Sequence, residues 1–488
     1  MEEISIKKNV IYNTLYQVLT VIIPLITTPY IARVIGSTGV GIYSYTTSIQ
    51  TYFSMFAVLG TATYGAREIA RNRNNRYKRS KLFWEIELLT VITSCIAIFF
   101  WIILIIFSTE YKIYYTILII NLLNTMFDIS WFYTGLERFK YIIIQNSIFK
   151  ILGTILLFVF IKQPSDLKLY IEIMSLFTFL GTISTWIYLP KFLIRVNIKE
   201  LKIFRHVKET VVYFVPTIAT SIYTVLDKTL IGIITQNANE NGYYEQATQI
   251  INVVKLLTFV SLNTVLGSRN SYLFAEKKYD EIRDRINASI DFILFVGIGA
   301  MFGLISVAGE FVPLFFGPGY EKVIGLVKVL SPLAMVIGIS NCLGSQYYNP
   351  AGLRAKSSKF IIAGAIINLI LNIILIPKFW SYGACIATII AETVITSLYL
   401  KYCDGFLKFD KLVGHGWKKM IAGFLMFISI YWIQFLNLSN ALALLLQLII
   451  GIISYIIFLT LLKDDFIFEF YRIHIKKRLN KIMTMYGN

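Results

Sequence analysis

Charge, histidine and cysteine are what this sequence has least of. Only 15% of its 488 residues are Asp, Glu, Lys or Arg, and it holds three histidines and four cysteines. So small a charged fraction excludes an ordinary water-soluble domain, in which about a quarter of the residues carry charge. Cys95, Cys342, Cys385 and Cys403 fall in or beside apolar runs without paired spacing, which argues against a disulfide framework and against a cysteine metal site. His206, His415 and His474 lie in hydrophilic connections, so no histidine metal centre is expected either. The phosphate-cradling pattern G-x-x-x-x-G-K-[ST] is absent, and no polar stretch is long enough to form a nucleotide-binding domain. No cofactor is expected.

What the chain does have is apolar sequence: 56% of its residues are hydrophobic and the mean hydropathy is +0.66. A single span must satisfy its own backbone hydrogen bonds and cover roughly 30 Å of hydrocarbon, which takes about 20 apolar residues in a helix. Windows of that kind predict an all-α integral membrane protein with about fourteen transmembrane helices, near 9–33, 42–66, 82–108, 114–136, 141–162, 169–190, 210–234, 243–268, 287–309, 323–347, 360–377, 384–403, 420–436 and 441–462. The first run has no A-x-A-like cleavage site and is too long for a signal-peptide core, so it is expected to be retained.

Lys and Arg number 46 against 28 acidic residues, a formal charge of +18. With the N-terminus inside, most of these cations fall in cytoplasmic connections, most densely in "REIARNRNNRYKRSK" from Arg67, while the outer connections hold Lys112, Lys162, Lys168, Lys322 and Lys378. That segregation is what insertion requires, so both termini are expected in the cytoplasm and no nucleic-acid partner is implied.

Five cations remain in or at the ends of spans: Arg33, Lys150, Lys228, Lys255 and Lys328. Each costs about 2.5 to 3.5 kcal/mol at a helix centre on insertion scales, so a wet cavity or a partner is expected beside it. Polar residues recur at three- and four-residue steps on four helices. Asn13, Gln17, Thr20, Pro24 and Thr27 mark the first; Ser44, Thr47, Ser48, Thr51 and Ser54 the second; Thr217, Thr220, Thr224 and Asp227 the seventh; Glu245, Thr248, Asn252 and Lys255 the eighth. Such stripes line a shared cleft or bond packed helices to one another. The last two spans lack a stripe and look like a lipid-facing accessory pair.

The striped helices are the first two of each of two six-helix halves. Gly41, Tyr43, Thr47 and Ile49 match Gly242, Tyr244, Thr248 and Ile250 at a constant offset of 201 residues. Six intervening spans leave the halves parallel, and a transport site is expected where such repeats meet. The resulting division is an N-terminal lobe at 1–190, a basic cytoplasmic connector at 191–209, a C-terminal lobe at 210–403, accessory helices at 404–462 and a basic tail at 463–488. Within the expected central cleft, Arg33, Lys228, Lys255 and Lys150 are candidates to hold an anion. Tyr45, Tyr52, Tyr223 and Asn252 are candidates to meet sugar rings. Asp128, Asp227 and Glu392 are candidates to bind a coupling proton or sodium ion, static pairing with a lysine being the alternative.

Four stretches carry a family resemblance that covers roughly residues 1–403: "TPYIARVIG" from Thr28, "DISWFYTGLERFK" from Asp128, "DKTLIG" from Asp227 with "GYYEQA" from Gly242, and "NLILNIILIPKFWSYGACIATIIAE" from Asn368. In these the chain resembles the bacterial polysaccharide repeat-unit flippases, the O-antigen and capsule exporters of the multidrug/oligosaccharidyl-lipid/polysaccharide superfamily. Trp380 departs from the pattern, where such proteins often carry glycine. The resemblance implies a multi-pass protein of the bacterial cytoplasmic membrane that is not an enzyme. It would move an undecaprenyl-diphosphate-linked oligosaccharide to the outer leaflet, with membrane lipids around it and a polysaccharide polymerase and chain-length regulator as possible partners. Two alternatives stay open: a drug or cation antiporter of the same fold, expected to have an acid-dominated cleft, and a membrane polymerase or ligase, expected to have a large outer loop with arginines or histidines.

Overall fold

The computed structural model describes residues 6–436, 438–469 and 471–472, without the side chains of residues 6–15, 17, 215–224, 257, 260–262, 264, 265 and 268. Regular structure among the described residues is entirely helical. Nine helices among the described residues are long and apolar enough to cross a bilayer, or ten if Glu321–Leu330 and Leu333–Tyr348, bent by 40°, make one span. All fourteen segments read from the sequence fall on helix, but several are joined, broken or too polar to qualify on length and apolarity alone.

The chain groups into two compact units, residues 1–242 and 243–488. In the first, α1 (Ile6–Val58) runs through both of the first two expected spans and kinks at Gly36, whose φ of 71° a residue with a Cβ rarely adopts. The chain then turns through Leu59 and Gly60, both at positive φ, into α2 (Thr61–Arg71). Next comes α3 (Arg76–Phe107), whose first turn is capped by Asn75 accepting from Lys78 N at 2.9 Å. The expected span 114–136 is broken into α4 (Lys112–Met126) and α5 (Ser130–Gly135), followed by α6 (Lys140–Phe160), α7 (Leu167–Thr185) and α8 (Val207–Thr235).

Helix α1 packs on α3, α4, α6 and α8, and α7 on α4 and α6. Lipid is as apolar as leucine, so close packing and internal hydrogen bonds hold such a bundle together rather than escape from water. Trp101, fully buried, donates its indole N–H to Tyr115 O at 2.9 Å, and Tyr133 donates its hydroxyl to Thr185 O at 2.7 Å.

The second unit takes in most of α9 (Ala238–Lys255), then a widened turn at Leu256–Val260 and α10 (Ser261–Ala275). After α11 (Tyr279–Phe316) come α12 (Glu321–Leu330), α13 (Leu333–Leu343) with a second widened turn at Gly344–Tyr348, α14 (Arg354–Phe379), α15 (Ser381–Lys401), α16 (Phe409–Tyr431) and α17 (Asn440–Leu461). Helices α14 and α15 form a hairpin whose corner, Trp380, has φ 58° and ψ −131°. That backbone favours glycine, which explains why a tryptophan there reads as a departure. Helices α16 and α17 bury Met426, Tyr455 and Leu459 toward α11, while Leu445, Leu448 and Ile452 are exposed, as a lipid-facing pair requires.

Candidate functional site

Backbone that leaves the helical path at membrane depth is tolerated where it is buried in protein or lines a cavity. The α4–α5 break at Phe127–Ile129 meets that condition. Asp128 Oδ1 accepts from Ser130 N at 2.9 Å, a local turn that competes with the helix, and the freed Phe127 carbonyl accepts the Trp186 indole N–H at 2.8 Å. Asp128 thereby faces a cavity of about 430 Å³ among α1, α4, α6 and α7, whose polar lining includes Asn124, Asn146, Lys150, Thr178 and Thr182. A second cavity of about 230 Å³ shares Asn124 and Thr178 with the first and adds Gln50 and Ser54, joined at 2.6 Å, and Thr125, 3.0 Å from Ser54 Oγ. Lys150 and Asp128 line one space, yet among the described residues no carboxylate stands within ion-pair distance of Lys150. An unpaired ammonium facing a low-dielectric hollow attracts an anion that can reach it.

The second feature is a seam of small and polar residues between α1 and the segment 229–242. Ser37 Oγ and Thr38 Oγ1 both donate to Asn239 Oδ1, at 2.8 and 2.7 Å, and Ser48 Oγ lies 2.9 Å from Thr229 Oγ1. Gly41 and Gly242, the pair matched by the 201-residue offset, let the backbones touch: a Cβ on Gly41 would collide with the Ala238 carbonyl, and one on Gly242 with the Ser37 carbonyl.

The residues singled out by sequence distribute unevenly. Lys150 and Asp128 share the cavity. Arg33 is exposed one turn before the Gly36 kink. Tyr45 packs beside Gly232 and edge-on to Tyr111, and the Tyr52 hydroxyl accepts from Thr229 at 3.3 Å, so both tyrosines belong to the seam. Asp227 is buried and Lys228 half-buried on α8. In the second unit Lys255 ends α9 at the widened turn, Asn252 is exposed, and Glu392 is buried on α15. The Tyr223 side chain lies outside the described residues.

Three features, two clusters and a lone carboxylate, escape the sequence reading. His206 lies in the connector but is buried, and His415 stands on α16. The buried His206 lies 2.7 Å from the Tyr64 hydroxyl through Nδ1 and 3.1 Å from Glu85 through Nε2, and Arg205 donates to the same carboxylate at 2.5 Å. Burial pushes the His206 imidazole below its ordinary pKa against the pull of Glu85, and Arg205 pushes the same way. The accessory pair is not uniformly apolar: Lys419, 1% exposed, donates to Asp291 at 2.6 Å and Asp464 at 3.0 Å, with His415 3.4 Å from Asp291. Lys419 was one residue outside the expected span 420–436, so its burial had no signal. The third is Glu87, buried on α3. Among the described residues no group of three or more His, Cys, Asp or Glu could hold a metal ion.

Three comparisons bear on this architecture. A family described as "Polysaccharide biosynthesis protein" matches residues 6–266. A protein of Escherichia coli (strain K12) named "Putative O-antigen transporter" is 24% identical over 407 residues, 82% of this chain and 97% of that protein. The solved structure of the lipid II flippase MurJ in an inward closed conformation superposes with a TM-score of 0.74 at 19% identity, covering 93% of this chain and all of MurJ. An inward-facing multidrug resistance transporter of the MATE family gives 0.56 at 11% identity, covering 81% and 98%. The chain therefore has the fold these transporters share.

Proposed function

Because the chain belongs to the polysaccharide biosynthesis protein family, we propose that it flips a lipid-diphosphate-linked oligosaccharide across a bilayer by alternating access. The observation that carries this reading is the cavity in which Lys150 stands without a carboxylate partner inside an all-helical membrane unit. The Lys150 side of this hollow suits an anionic, hydroxyl-rich headgroup, while a cleft built for a cationic drug would be dominated by acids, and here Asp128 is balanced by Lys150. The names of the Escherichia coli relative and of MurJ, a transporter and a flippase, support the substrate class.

In this reading Arg33, Lys228 and Lys255 pass the diphosphate along with Lys150, while Tyr45, Tyr52, Tyr223 and Asn252 meet the sugars. Asp128, Asp227 and Glu392 take part in ion coupling. The two parallel lobes at 1–190 and 210–403 rock about the substrate, some fourteen spans cross the bilayer, and both termini face the cytoplasm of a bacterial cell. A polysaccharide polymerase and a chain-length regulator would act on the delivered repeat unit.

Complementation tests the reading. Expressed in a bacterium that makes a repeat unit but lacks its own flippase, the chain should restore surface polysaccharide. Lipid-linked precursor that stays at the inner leaflet, with the chain abundant in the membrane and several repeat units tried, would contradict it. Efflux of a cationic dye in the same cells would favour the antiporter.

A further inference from the structure

Helix α3 carries two buried carboxylates with opposite circumstances. Glu85 and Glu87 are 0% and 1% exposed, and at about 100° per residue they leave the helix on nearly opposite sides. Glu85 is fully answered: Arg205 at 2.5 Å, His206 at 3.1 Å and the Lys202 N–H at 2.7 Å all reach it. Glu87 is not. Neither of its oxygens sits in full hydrogen-bond geometry with a donor, the Trp131 indole N–H only facing it, and among the described residues no cation stands within ion-pair distance.

Its neighbourhood is aromatic. The Trp131 indole of α5 lies beside it, its buried Nε1–H the donor that faces the carboxylate and makes no other hydrogen bond, and Trp131 stacks on Phe83 with ring centroids 5.6 Å apart. The charged group acting on Glu87 is another acid, Asp128 of the α4–α5 break. An ionised carboxylate so placed would be desolvated, without a counter-ion and repelled by Asp128, a state that costs several kcal/mol. A sodium ion would need several oxygen ligands, and among the described residues no group of three or more His, Cys, Asp or Glu could hold a metal ion. The species that relieves the site with no further ligand is a proton.

We propose that Glu87 is a proton-binding site and that it takes up and releases one proton in each transport cycle. The step balances simply: the carboxyl O–H breaks, its electron pair stays on Glu87, and the proton passes to water. Asp128 connects the site to the outside. It acts on Glu87 electrostatically and also lines the 430 Å³ cavity, so an anion or cation entering that cavity changes the field at Glu87. An anionic headgroup beside Lys150 strengthens the hold on the proton, and its departure loosens it. The cycle rests on the flippase reading; the proton site itself does not.

Infrared difference spectroscopy of the purified full chain in lipid, without substrate, tests the site. A protonated-carboxyl stretch should titrate with pH in the wild type, vanish in Glu87→Gln and persist at a shifted position in Glu87→Asp. Trp131 fluorescence should follow the same titration, read against Trp131→Phe, and serves in the wild type if Glu87→Gln does not fold. A carboxyl band unchanged in Glu87→Gln, or a wild-type Trp131 signal and band that do not titrate at all, would overturn the proposal. In cells, the stimulation of export by an imposed proton gradient should disappear in Glu87→Gln while gradient-free export persists. Undiminished stimulation would overturn the coupling role. Failure of export in every variant and in the wild type, with the titrating band intact, would fault the flippase reading and leave the proton site standing.

Discussion

Lys419 holds two carboxylates, Asp291 and Asp464, at 2.6 and 3.0 Å with all three side chains buried, so removing Lys419 leaves two buried carboxylates with only His415, 3.4 Å from Asp291, beside them. Lys419→Met is expected to cost about 3 to 5 kcal/mol, and the triple change Lys419→Met, Asp291→Asn, Asp464→Asn to recover most of it. Unfolding midpoints in detergent check this; equal loss in the single and triple variants would mean that the cluster matters for packing alone. His206 gives a pH dependence of definite sign. Its imidazole is held below the ordinary value of about 6.5, so the unfolded chain takes up the proton first and stability rises with pH through that window. The contribution is complete above about pH 6.5 and lost as pH falls below it, by at most about 1.4 kcal/mol per unit. The wild-type midpoint should drop more steeply between neutral and mildly acid pH than that of His206→Gln; parallel curves would refute it. Neither cluster was legible in the sequence. Tyr64, Glu85 and His206 are far apart in the chain, and a histidine in a polar connector gives no hint that the fold buries it.

At the scale of elements, the apolar windows all fall on helix but did not show its breaks. A hydropathy window averages over the α4–α5 interruption because Phe127 and Ile129 flank Asp128, and the local signal is a single Asp two residues before a Ser. Likewise 9–33 and 42–66 read as two helices, and the chain does leave the helical path between them, at Gly36, but helix resumes directly after that one residue where the polar, glycine-containing stretch looks like a loop. The repeat was more informative. The matched glycines Gly41 and Gly242 are where the two backbones meet, and the seam they open is closed by Ser37, Thr38 and Asn239. Ser37→Cys with Asn239→Cys, on a background lacking the four native cysteines, should therefore crosslink readily. If the seam parts during transport, the crosslink should stop export and reduction should restore it. Crosslinked protein that exports at the normal rate would show that the seam stays shut throughout the cycle.

Over the whole molecule, composition alone settled the class, since few water-soluble domains are as apolar, and the fold agrees with MurJ across 93% of the chain. The candidate site was legible in part. Lys150 and Asp128 stood out as charges inside apolar sequence, and they do line one cavity together with Thr27 of the first polar stripe, but that cavity belongs to the first unit and its asparagines and other threonines were not foreseen. The most direct measurement is leaflet transfer in vesicles containing only this protein and a labelled polyprenyl-diphosphate oligosaccharide. A membrane-impermeant glycosidase then reports how much label reaches the outer leaflet with time. Wild-type vesicles should expose the inner pool and protein-free vesicles should not, while Lys150→Gln at equal abundance should slow transfer at least tenfold, about 1.4 kcal/mol of lost stabilisation. Transfer by Lys150→Gln at the wild-type rate would contradict the anion-binding role of the cavity, and no transfer by the wild type would contradict the flippase itself.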